Sequence, residues 1–413
     1  MKLNEIIKER NETIEIEAIM LDSREKQANA MFFCIAGLTV DAHDFVDQAI
    51  ENGAVVIVHS KPLVEKEGII YHQVDDCMSA LHEYANRFFD YPSDKLFMYG
   101  ITGTNGKSTI MKTVRNILLR FGVKAGYIGT ISVEYLDHVF EPSLTTPDIV
   151  ELNTWLKKMV DAGITDVCLE VSSQGLAMRR VDGINFDLAA FTNLSHDHLD
   201  YHKTMENYFA AKEILFDRLD ADKPIFINMD DPYGKRIYQK HQRQAITYAV
   251  EHEADYRASD IVLKADGTEF ILHHKGITYP VKTSFLAYFN VLNALAVIAI
   301  LHYRGYALES IIAQLEDIDH VDGRLTVIDA GQDFSVYVDF GHAPDSMEKV
   351  FTFVRSTLAP ENKLICVFGA AGARDHLKRP IMGKVATSLC DHVIITEHDN
   401  RNEAVETITQ DII

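Results

Sequence analysis

The sequence predicts an α/β protein of three domains, of which the central one has a mostly parallel sheet. Its 413 residues, 47% of them apolar, exceed what one hydrophobic core usually organises. Short apolar runs typical of strands alternate with segments of helical apolar spacing. This alternation restarts near residues 94 and 324. We therefore predict domains over residues 1–94, 95–324 and 325–413.

The first predicted domain is a small α/β unit. An apolar strand at 30–36 is followed by a helix at 45–52 and a second strand at 54–58. A turn-rich segment at 91–94 ends the domain.

The second predicted domain repeats strands and helices in an order that favours a parallel sheet with helices on both faces. Its longest apolar run, at 291–301, is too short to cross a bilayer and predicts a buried helix. The other elements are, in chain order, a strand at 123–128, a helix at 149–162, strands at 166–169 and 188–192, and a helix at 206–219.

The third predicted domain is a further α/β unit, and a short one. We expect strands at 325–328, 336–338 and 364–368, with a helix at 346–356.

The net charge and the cysteines limit which binding partners and which cellular compartment we expect. The formal net charge of −21 repels nucleic acid and anionic lipid over most of the surface. The five cysteines are scattered and never spaced as metal pairs, so we predict buried thiols in a reducing compartment. The N-terminal residues mix charges of both signs and lack the order of a signal peptide. We expect a cytoplasmic monomer without a membrane span.

A glycine-rich segment at residues 100–109, GITGTNGKST, lies between an apolar run and a stretch of helical spacing. Glycines let backbone N–H groups close around phosphate oxygens, and a helix start adds partial positive charge. Lys107 would neutralise the outer phosphates and Ser108 could ligate Mg²⁺. The segment predicts an ATP site, although its glycine spacing departs from the common pattern. The alternative interpretation is an ordinary glycine turn.

Two other polar segments follow apolar strands, where open α/β sheets bind ligands. Glu170 ends one strand and is a candidate metal ligand. Residues 193–202 gather five histidine or aspartate side chains within seven positions. The alternative for this second segment is a solvated polar loop, and histidine is an atypical ligand for Mg²⁺ because hard cations prefer oxygen.

Nine motifs, in order along the chain, resemble those of the Mur ligase family. They are GITGTNGKST at 100–109, LTTPD at 144–148, EVSSQGLAMRRV at 170–181, FTNLSHDHLDYH at 191–202, AAKEILF at 210–216, FNVLN at 289–293, VDGR at 321–324, VDFGHAPDSM at 338–347 and GARDHLKRPIMG at 372–383. The resemblance implies an N-terminal UDP-sugar-binding domain, a central P-loop ATPase domain and a C-terminal Rossmann-like domain. It also implies ATP-dependent addition of meso-diaminopimelate or L-lysine to UDP-MurNAc-L-Ala-D-Glu, through an acyl phosphate, in peptidoglycan precursor synthesis.

The same resemblance implies roles for individual residues. It implies catalytic roles for Lys107, His198 and Lys212. It implies Mg²⁺ ligation by Ser108, Glu170, His198 and Lys212, the last as a carbamate. It implies ATP contacts from Gly103, Thr104, Asn105, Gly106, Lys107, Ser108, Thr109, Asn290, Asn293, Arg324, Asp339 and His342. It implies contacts to the UDP-sugar peptide or the amino acid from Ser23, Arg24, Thr145, Thr146, Ser172, Arg180, Arg374 and Arg401.

Two departures from the family pattern leave alternatives open. Residues 398–401 read HDNR where diaminopimelate-adding members read DNPR, which keeps Arg401 and favours diaminopimelate over lysine only slightly. The third domain is shorter than the family's, so we expect an incomplete domain or a degenerate copy. The remaining hypotheses are another Mur or folylpolyglutamate-type ligase and an inactive nucleotide-binding paralogue.

Overall fold

The computed structural model describes residues 1–37, 40–264 and 266–413. The strands of these residues are β1 (Ala18–Met20), β2 (Ala30–Phe33), β3 (Ala54–His59), β4 (Ile70–Gln73), β5 (Phe97–Thr102), β6 (Ala125–Ile128), β7 (Val133–Tyr135), β8 (His138–Phe140), β9 (Asp166–Glu170), β10 (Leu188–Phe191), β11 (Ile225–Asn228), β12 (Ala245–Ala249), β13 (Tyr256–Leu263), β14 (Thr268–His274), β15 (Ile277–Thr283), β16 (Thr326–Ile328), β17 (Val336–Val338), β18 (Ile365–Phe368) and β19 (His392–Ile395).

The α-helices of the described residues are α1 (Leu3–Ile6), α2 (Val46–Glu51), α3 (Cys77–Phe88), α4 (Lys107–Arg120), α5 (Ile149–Asp161), α6 (Ser173–Ala177), α7 (Leu199–His202), α8 (Met205–Asp217), α9 (Pro232–His241), α10 (Phe289–Tyr303), α11 (Leu308–Leu315), α12 (Pro344–Thr357), α13 (Lys378–Leu389) and α14 (Val405–Ile412).

One compact unit comprises Met1–Leu96, Pro147–Gly163 and Arg180–Asn185. Its sheet has the order β1-β2-β3-β4, and all three strand pairs are parallel. The predicted strand at 54–58 and helix at 45–52 are confirmed. The predicted strand at 30–36 is too long, because the Ile35 N–H bonds the Phe33 carbonyl and turns the chain out of the sheet.

The second unit comprises Phe97–Thr146, Ile164–Arg179 and Phe186–Ile413. Its large sheet has the order β15-β14-β13-β12-β11-β10-β5-β9-β6-β7-β8. The strands from β13 to β6 in this order pair in parallel, which confirms the mostly parallel sheet. The hairpins at its two ends are antiparallel and were not predicted.

Strand β5 lies inside this sheet, between β10 and β9. Because the three strands are parallel, their carboxyl ends meet at one edge. The glycine-rich segment, Glu170 and residues 192–198 all follow or end these strands there. Helix α10 covers the predicted run at 291–301 and is buried on nearly every side, as expected.

The end of the second unit forms a lobe of small sheets, which we call the C-terminal lobe (residues 325–413). Strands β16 and β17 pair antiparallel, and β18 and β19 pair in parallel. The predicted helix at 346–356 corresponds to α12, which begins two residues earlier because Pro344 occupies its first turn. The lobe's buried apolar residues form three small clusters rather than one large core.

Two further expectations concern cysteines and membranes. Cys34, Cys77, Cys168 and Cys366 are buried, as predicted, whereas Cys390, at the end of α13, is only half-buried. Among the described residues, no helix has the length and apolar character needed to cross a bilayer.

Candidate functional site

The turn after β5 is shaped by two glycines. Gly103 has φ +146° and Gly106 has φ +93°, conformations that disfavour any other residue. A Cβ on Gly103 would overlap the Thr192 hydroxyl, and one on Gly106 would lie 2.6 Å from Asn293 Oδ1. The turn therefore fits only with glycine at both positions.

The Lys107 side chain folds back over this turn. Its Nζ donates to the carbonyls of Gly103 at 3.0 Å and Thr104 at 2.9 Å. Burial, reinforced by the Arg324 charge and opposed by Glu170, lowers the pKa of Lys107. The amine is thus held at the turn, at the start of α4, where a phosphate would meet backbone N–H groups and the helix dipole.

The segment after β10 braces the turn from the side. Asn193 accepts from the Asn105 N–H through Oδ1 at 3.0 Å, and its carbonyl accepts from the Thr104 N–H at 2.8 Å. The Thr192 hydroxyl donates to the Asn105 carbonyl at 2.6 Å. These bonds fix the loop before any ligand arrives.

Glu170 ends β9 and is fully buried. Its carboxylate accepts from the Tyr127 hydroxyl and from the Thr130 hydroxyl, the latter at 3.0 Å. Tyr127 also lies in hydrogen-bonding reach of Ser108, whose hydroxyl accepts from Arg324 at 2.9 Å. The structure thus brings Ser108 and Glu170 close to the same tyrosine hydroxyl.

Lys212 extends from α8 to the underside of the phosphate turn. It is 1% exposed, and its Nζ donates to the Gly103 carbonyl at 2.9 Å and lies 4.6 Å from the centre of the Tyr208 ring. Burial, and next the positive charge of Lys107, lower the pKa of Lys212 well below its ordinary value. An uncharged amine at this position is a nucleophile.

Asp197 and His198 follow β10. Burial disfavours the Asp197 carboxylate, but the hydrogen bond with His342, the charge that His198 carries in acid and the charge of Lys378 outweigh burial and lower the pKa of Asp197. Partial burial, opposed by the Asp197 charge, lowers the pKa of His198 to about 4. The His198 ring is therefore neutral at pH 7, which is the form that can coordinate a metal ion.

One cavity of about 620 Å³ opens over the phosphate turn, within the second unit. The predicted site residues in its wall are Thr104, Asn105, Gly106, Lys107, Thr109, Thr145, Ser172, His198, Asn290, Asn293, Arg324, Asp339, His342, Arg374 and Arg401. Those of the same unit that lie outside its wall are Gly103, Ser108, Thr146, Glu170 and Lys212. Ser108, Thr146, Glu170 and Lys212 are almost fully buried behind it.

Helix α10 and the C-terminal lobe supply one side of the cavity. Asn290 and Asn293 are buried on α10 and bond each other at 2.6 Å. Asp339 accepts from the Leu325 N–H at 2.8 Å, which orders the start of the lobe. Asp345, at the start of α12, accepts from the Asn105 side chain at 3.2 Å.

Two arginines line another side of the cavity. Arg374 lies 3.7 Å from Asp200, and the Arg401 Nε donates to Asp399 at 2.7 Å. Both side chains are about two-fifths exposed, so their charges remain accessible to an anionic ligand. Nearby, Thr146 accepts from the Ser172 N–H at 2.9 Å and donates to the Glu170 carbonyl at 2.9 Å.

Three predicted residues belong to the first unit. Ser23 is buried and donates to Gln48 at 2.8 Å, whereas Arg24 is exposed and bonds Asp22. Arg180 begins the third segment of that unit and is half-buried. Their assignment to ligand contacts stays a prediction.

The donor set beside the phosphate turn fits a magnesium ion in part. A carboxylate, a hydroxyl and a neutral imidazole come from Glu170, Ser108 and His198, and oxygen donors are what Mg²⁺ prefers. A Cβ on Gly129 would overlap the Glu170 carboxylate, so the chain leaves room for this carboxylate at the strand end. The Lys212 ammonium donates only and fits as a ligand only after conversion to an anion.

Family models match nearly the whole chain. The model described as "Mur ligase family, catalytic domain" matches residues 15–89, that of the "Mur ligase middle domain" matches 101–301, and that of the "Mur ligase, glutamate ligase domain" matches 323–413. The chain belongs to the Mur ligase family. Its three-domain architecture is the one predicted above.

Curated relatives of this Mur ligase include two diaminopimelate ligases. The UDP-N-acetylmuramoyl-L-alanyl-D-glutamate–2,6-diaminopimelate ligase 1 of Clostridium acetobutylicum is 39% identical over 97% of this chain and 82% of its own length. The UDP-N-acetylmuramoyl-L-alanyl-D-glutamate–2,6-diaminopimelate ligase of Geobacillus kaustophilus is 39% identical over 96% of this chain and 82% of its own length.

Solved structures show the same likeness. A structure titled as a UDP-N-acetylmuramoyl-L-alanyl-D-glutamate–2,6-diaminopimelate ligase is 26% identical, with a TM-score of 0.76 over 100% of this chain and 85% of that one. The structure of MurF ligase from Thermotoga maritima in complex with ADP is 19% identical, with a TM-score of 0.64 over 93% of this chain and 85% of that one. At this identity the likeness shows the fold alone.

Sequence reasoning missed several residues of this Mur ligase's site. Tyr127 and Thr130 orient Glu170, but an apolar strand end gave no signal for them. Lys378 lines the cavity and pairs with Asp197 at 3.2 Å, although both are buried. Lys378 lies inside the GARDHLKRPIMG motif, so the resemblance could have drawn attention to it.

Proposed function

We propose that this Mur ligase adds diaminopimelate to UDP-MurNAc-L-Ala-D-Glu at the expense of ATP, in peptidoglycan precursor synthesis. The observation that carries the proposal is the cavity, which has the Lys107 phosphate turn in one wall and Arg374 and Arg401 in another. A phosphate donor and a carboxylate-bearing amine can therefore be held in the same space. The similar diaminopimelate ligases reported above support the choice of reaction.

The reaction has two steps in this proposal. A carboxylate oxygen of the D-glutamate attacks the γ-phosphorus of ATP, the bond to the bridging oxygen breaks, and ADP leaves. The resulting acyl phosphate is attacked by the amine of the incoming amino acid, which forms the amide and releases inorganic phosphate and a proton. Neither step requires an oxidant or a reductant.

Repulsion between the carboxylate and the triphosphate is the main obstacle to the first step. The Lys107 ammonium and the backbone N–H groups of the turn place positive charge where negative charge concentrates. Because the turn is already fixed by Thr192 and Asn193, little reorganisation is needed when the nucleotide binds. Arg324, which bonds Ser108, adds a second cation on the same side.

We propose that Ser108, Glu170 and His198 hold Mg²⁺. The ion would supply further neutralisation of the phosphate oxygens. The Tyr127 and Thr130 hydroxyls orient the Glu170 carboxylate, and Asp197 lies beside the His198 ring at 3.5 Å. Ser23, Arg24, Thr145, Thr146, Ser172 and Arg180 remain the residues proposed for the UDP-sugar peptide.

We also propose that Lys212 is carbamylated. Its amine is buried and its pKa is lowered, so the neutral form that can add carbon dioxide is favoured. The product is an anion beside Lys107, whose ammonium would stabilise the new negative charge. Incubation with ¹³C-bicarbonate should give a carbamate NMR signal in the wild type that is lost in Lys212→Met. A signal unchanged by that substitution would contradict the assignment.

For the incoming amino acid, Arg374 and Arg401 offer carboxylate-binding forks. Diaminopimelate has one carboxylate more than lysine, which matches the presence of two cavity-lining arginines. Residues 398–400 supply His398 and Asp399 to the same wall. We infer that diaminopimelate is the better substrate.

The proposal is tested by incubating the full chain with Mg²⁺, ATP and UDP-MurNAc-L-Ala-D-Glu, plus either diaminopimelate or lysine, and weighing the products. We expect ADP, phosphate and a nucleotide peptide heavier by one diaminopimelyl residue. A gain of lysine alone would correct the amino acid. ATP bound without any product would favour the inactive paralogue, and turnover only with another acid would favour a different amide ligase.

A further inference from the structure

Arg379 on α13 is a fully buried charge in the C-terminal lobe, with 0% of its side chain exposed. One terminal nitrogen donates to Glu403 and to Asp411, both at 2.8 Å, and the other donates to Glu403 at 2.8 Å and to the Ala371 carbonyl at 3.1 Å. Both terminal nitrogens are thus paired, as a buried guanidinium charge requires. The side chain therefore connects α13 and α14 with the segments around residues 371 and 403.

Those two segments are the loops that follow β18 and β19. We call them the first loop (residues 369–375) and the second loop (residues 396–403). The Gly372 N–H donates to the Asp399 carbonyl at 3.0 Å, and the Ala373 N–H donates to Glu403 at 2.8 Å. A Cβ on Gly372 would overlap the Asn400 carbonyl, so the loops pack backbone against backbone.

Both loops hold residues in the left-handed region without glycine. The φ angles are +50° at Ala373, +41° at Asp399, +47° at Arg401 and +68° at Asn402. Residues with a Cβ disfavour this conformation, and it persists only where the surroundings determine it. The Arg379 and Glu403 pair joins the two loops and is such a determinant.

The loops carry charged side chains into the cavity wall. Arg374 and Asp375 come from the first loop, and Asp399 and Arg401 come from the second. Arg379 itself is not among the residues of the cavity wall. His376, Glu403 and Asp411 also lie within 4.8 Å of one another, but the guanidinium already binds both carboxylates, which leaves no empty cation site.

We propose that Arg379 is a positioning residue of this ligase, which sets the separation of Arg374 and Arg401 through Glu403 and Ala371 and thereby the affinity for the incoming diamino acid. This inference rests on the proposed function. It predicts an effect on the amino acid and little effect on the nucleotide, because the phosphate turn is fixed by bonds to Thr192 and Asn193 instead.

The test is steady-state kinetics on the full chain with all three substrates varied. In Arg379→Lys we expect the KM for diaminopimelate to rise about tenfold, while the KM values for ATP and the UDP-dipeptide stay within about twofold. Glu403→Gln should also raise the KM for diaminopimelate, by a smaller factor than Arg379→Lys does. In the double variant the rise in the KM for diaminopimelate should be smaller than the product of the rises in the two single variants, because both substitutions break the same contact.

Arg355→Lys is the matched control. Arg355 donates to the Leu389 carbonyl and to Asp391 in the same lobe but lies outside the cavity wall. Its substitution should leave the KM for diaminopimelate within about twofold. Equal rises of all three KM values, an equal rise in the control, or no change in active Arg379→Lys and Glu403→Gln would overturn the inference. A wild-type chain without dipeptide-dependent phosphate release would instead defeat the proposed function.

Discussion

The phosphate-turn end of the large sheet and the C-terminal lobe contribute to the same cavity, but they are stabilised differently. The first rests on an apolar core that includes α4, α10 and the strands on which they pack. The second has two-stranded sheets whose outer face leaves Ile365 57% and Val367 62% exposed. Its loops are fixed by ion pairs around Arg379. The comparison teaches that the proposed phosphate site is held by the packing of the sheet, whereas the proposed amino-acid site is held by ion pairs.

The largest effect is expected at Lys107. Replacing it with alanine removes the cation at the phosphate turn, and we expect kcat to fall by about a thousandfold or more. Dipeptide-dependent phosphate release measures this. Lys384→Ala, an exposed lysine on α13, is the control and should be near wild type. Normal turnover in Lys107→Ala would end the assignment of the phosphate site.

The difference between the two cores predicts a difference in stability. Ile298 on α10 is 0% exposed, so Ile298→Ala should lower the free energy of unfolding by about 2–5 kcal/mol. Ile365→Ala, on the exposed face of β18, should change it by no more than about 0.5 kcal/mol. Chemical denaturation followed by circular dichroism compares them. Equal losses would show that the exposed face is covered in solution.

Glu170 tests whether the strand end binds a cation. Glu170→Gln keeps the shape but removes the charge, and we expect activity to fall by about a hundredfold, with a higher Mg²⁺ concentration needed for half-maximal rate. Tyr127→Phe removes only an orienting hydroxyl and should cost about tenfold. A Mg²⁺ titration curve identical in wild type and Glu170→Gln would place the ion elsewhere.

Arg401 tests the amino-acid side of the comparison. In Arg401→Ala the KM for diaminopimelate should rise about tenfold, because one carboxylate partner is lost, while the KM for ATP stays within about twofold. The preference for diaminopimelate over lysine should shrink in the same variant. A change in the KM for ATP of similar size would show that Arg401 serves the nucleotide instead.

The smallest effect concerns pH. The Arg379 hydrogen bonds, followed by the Ala373 N–H, lower the pKa of Glu403 from 4.5 to about 2. A carboxyl group with a lowered folded-state pKa stabilises the fold above its unfolded pKa and loses that contribution as the pH falls towards the folded value. The melting temperature of Glu403→Gln should therefore lie below wild type at pH 7, and the gap should close between about pH 5 and pH 2. A gap that widens on acidification would contradict this.

Much of the fold followed from the sequence because its strands are continuous apolar runs. Strands β9 and β10 and helices α5 and α10 lie within one or two residues of their predicted ends. The two strands and α10 are continuous buried apolar runs, and α5 has one regular apolar face. The hairpins β13–β15 were missed because their alternating polar residues occur between stronger signals. Helix α8 was predicted at 206–219 and ends two residues earlier, at Asp217.

The site was less accessible to sequence reasoning. Lys107 was recognisable from its glycine-rich segment and Glu170 from its place at a strand end. The resemblance added Lys212, which by itself would be an ordinary helix lysine. Tyr127 and Arg379 act through other side chains, and such contacts depend on long-range packing. The local sequence pattern gives no indication that the Arg379 side chain bonds Glu403 across the lobe.

The most direct measurement of the central claim, that ATP activates a carboxylate in this cavity, follows an oxygen atom. UDP-MurNAc-L-Ala-D-Glu carrying ¹⁸O in the D-glutamate side-chain carboxylate is incubated with ATP, Mg²⁺ and diaminopimelate. The mass of the released inorganic phosphate is then measured by mass spectrometry. Formation of an acyl phosphate transfers one carboxylate oxygen, so the released phosphate should carry a single ¹⁸O atom in each labelled turnover. Product formation with unlabelled phosphate would contradict the account.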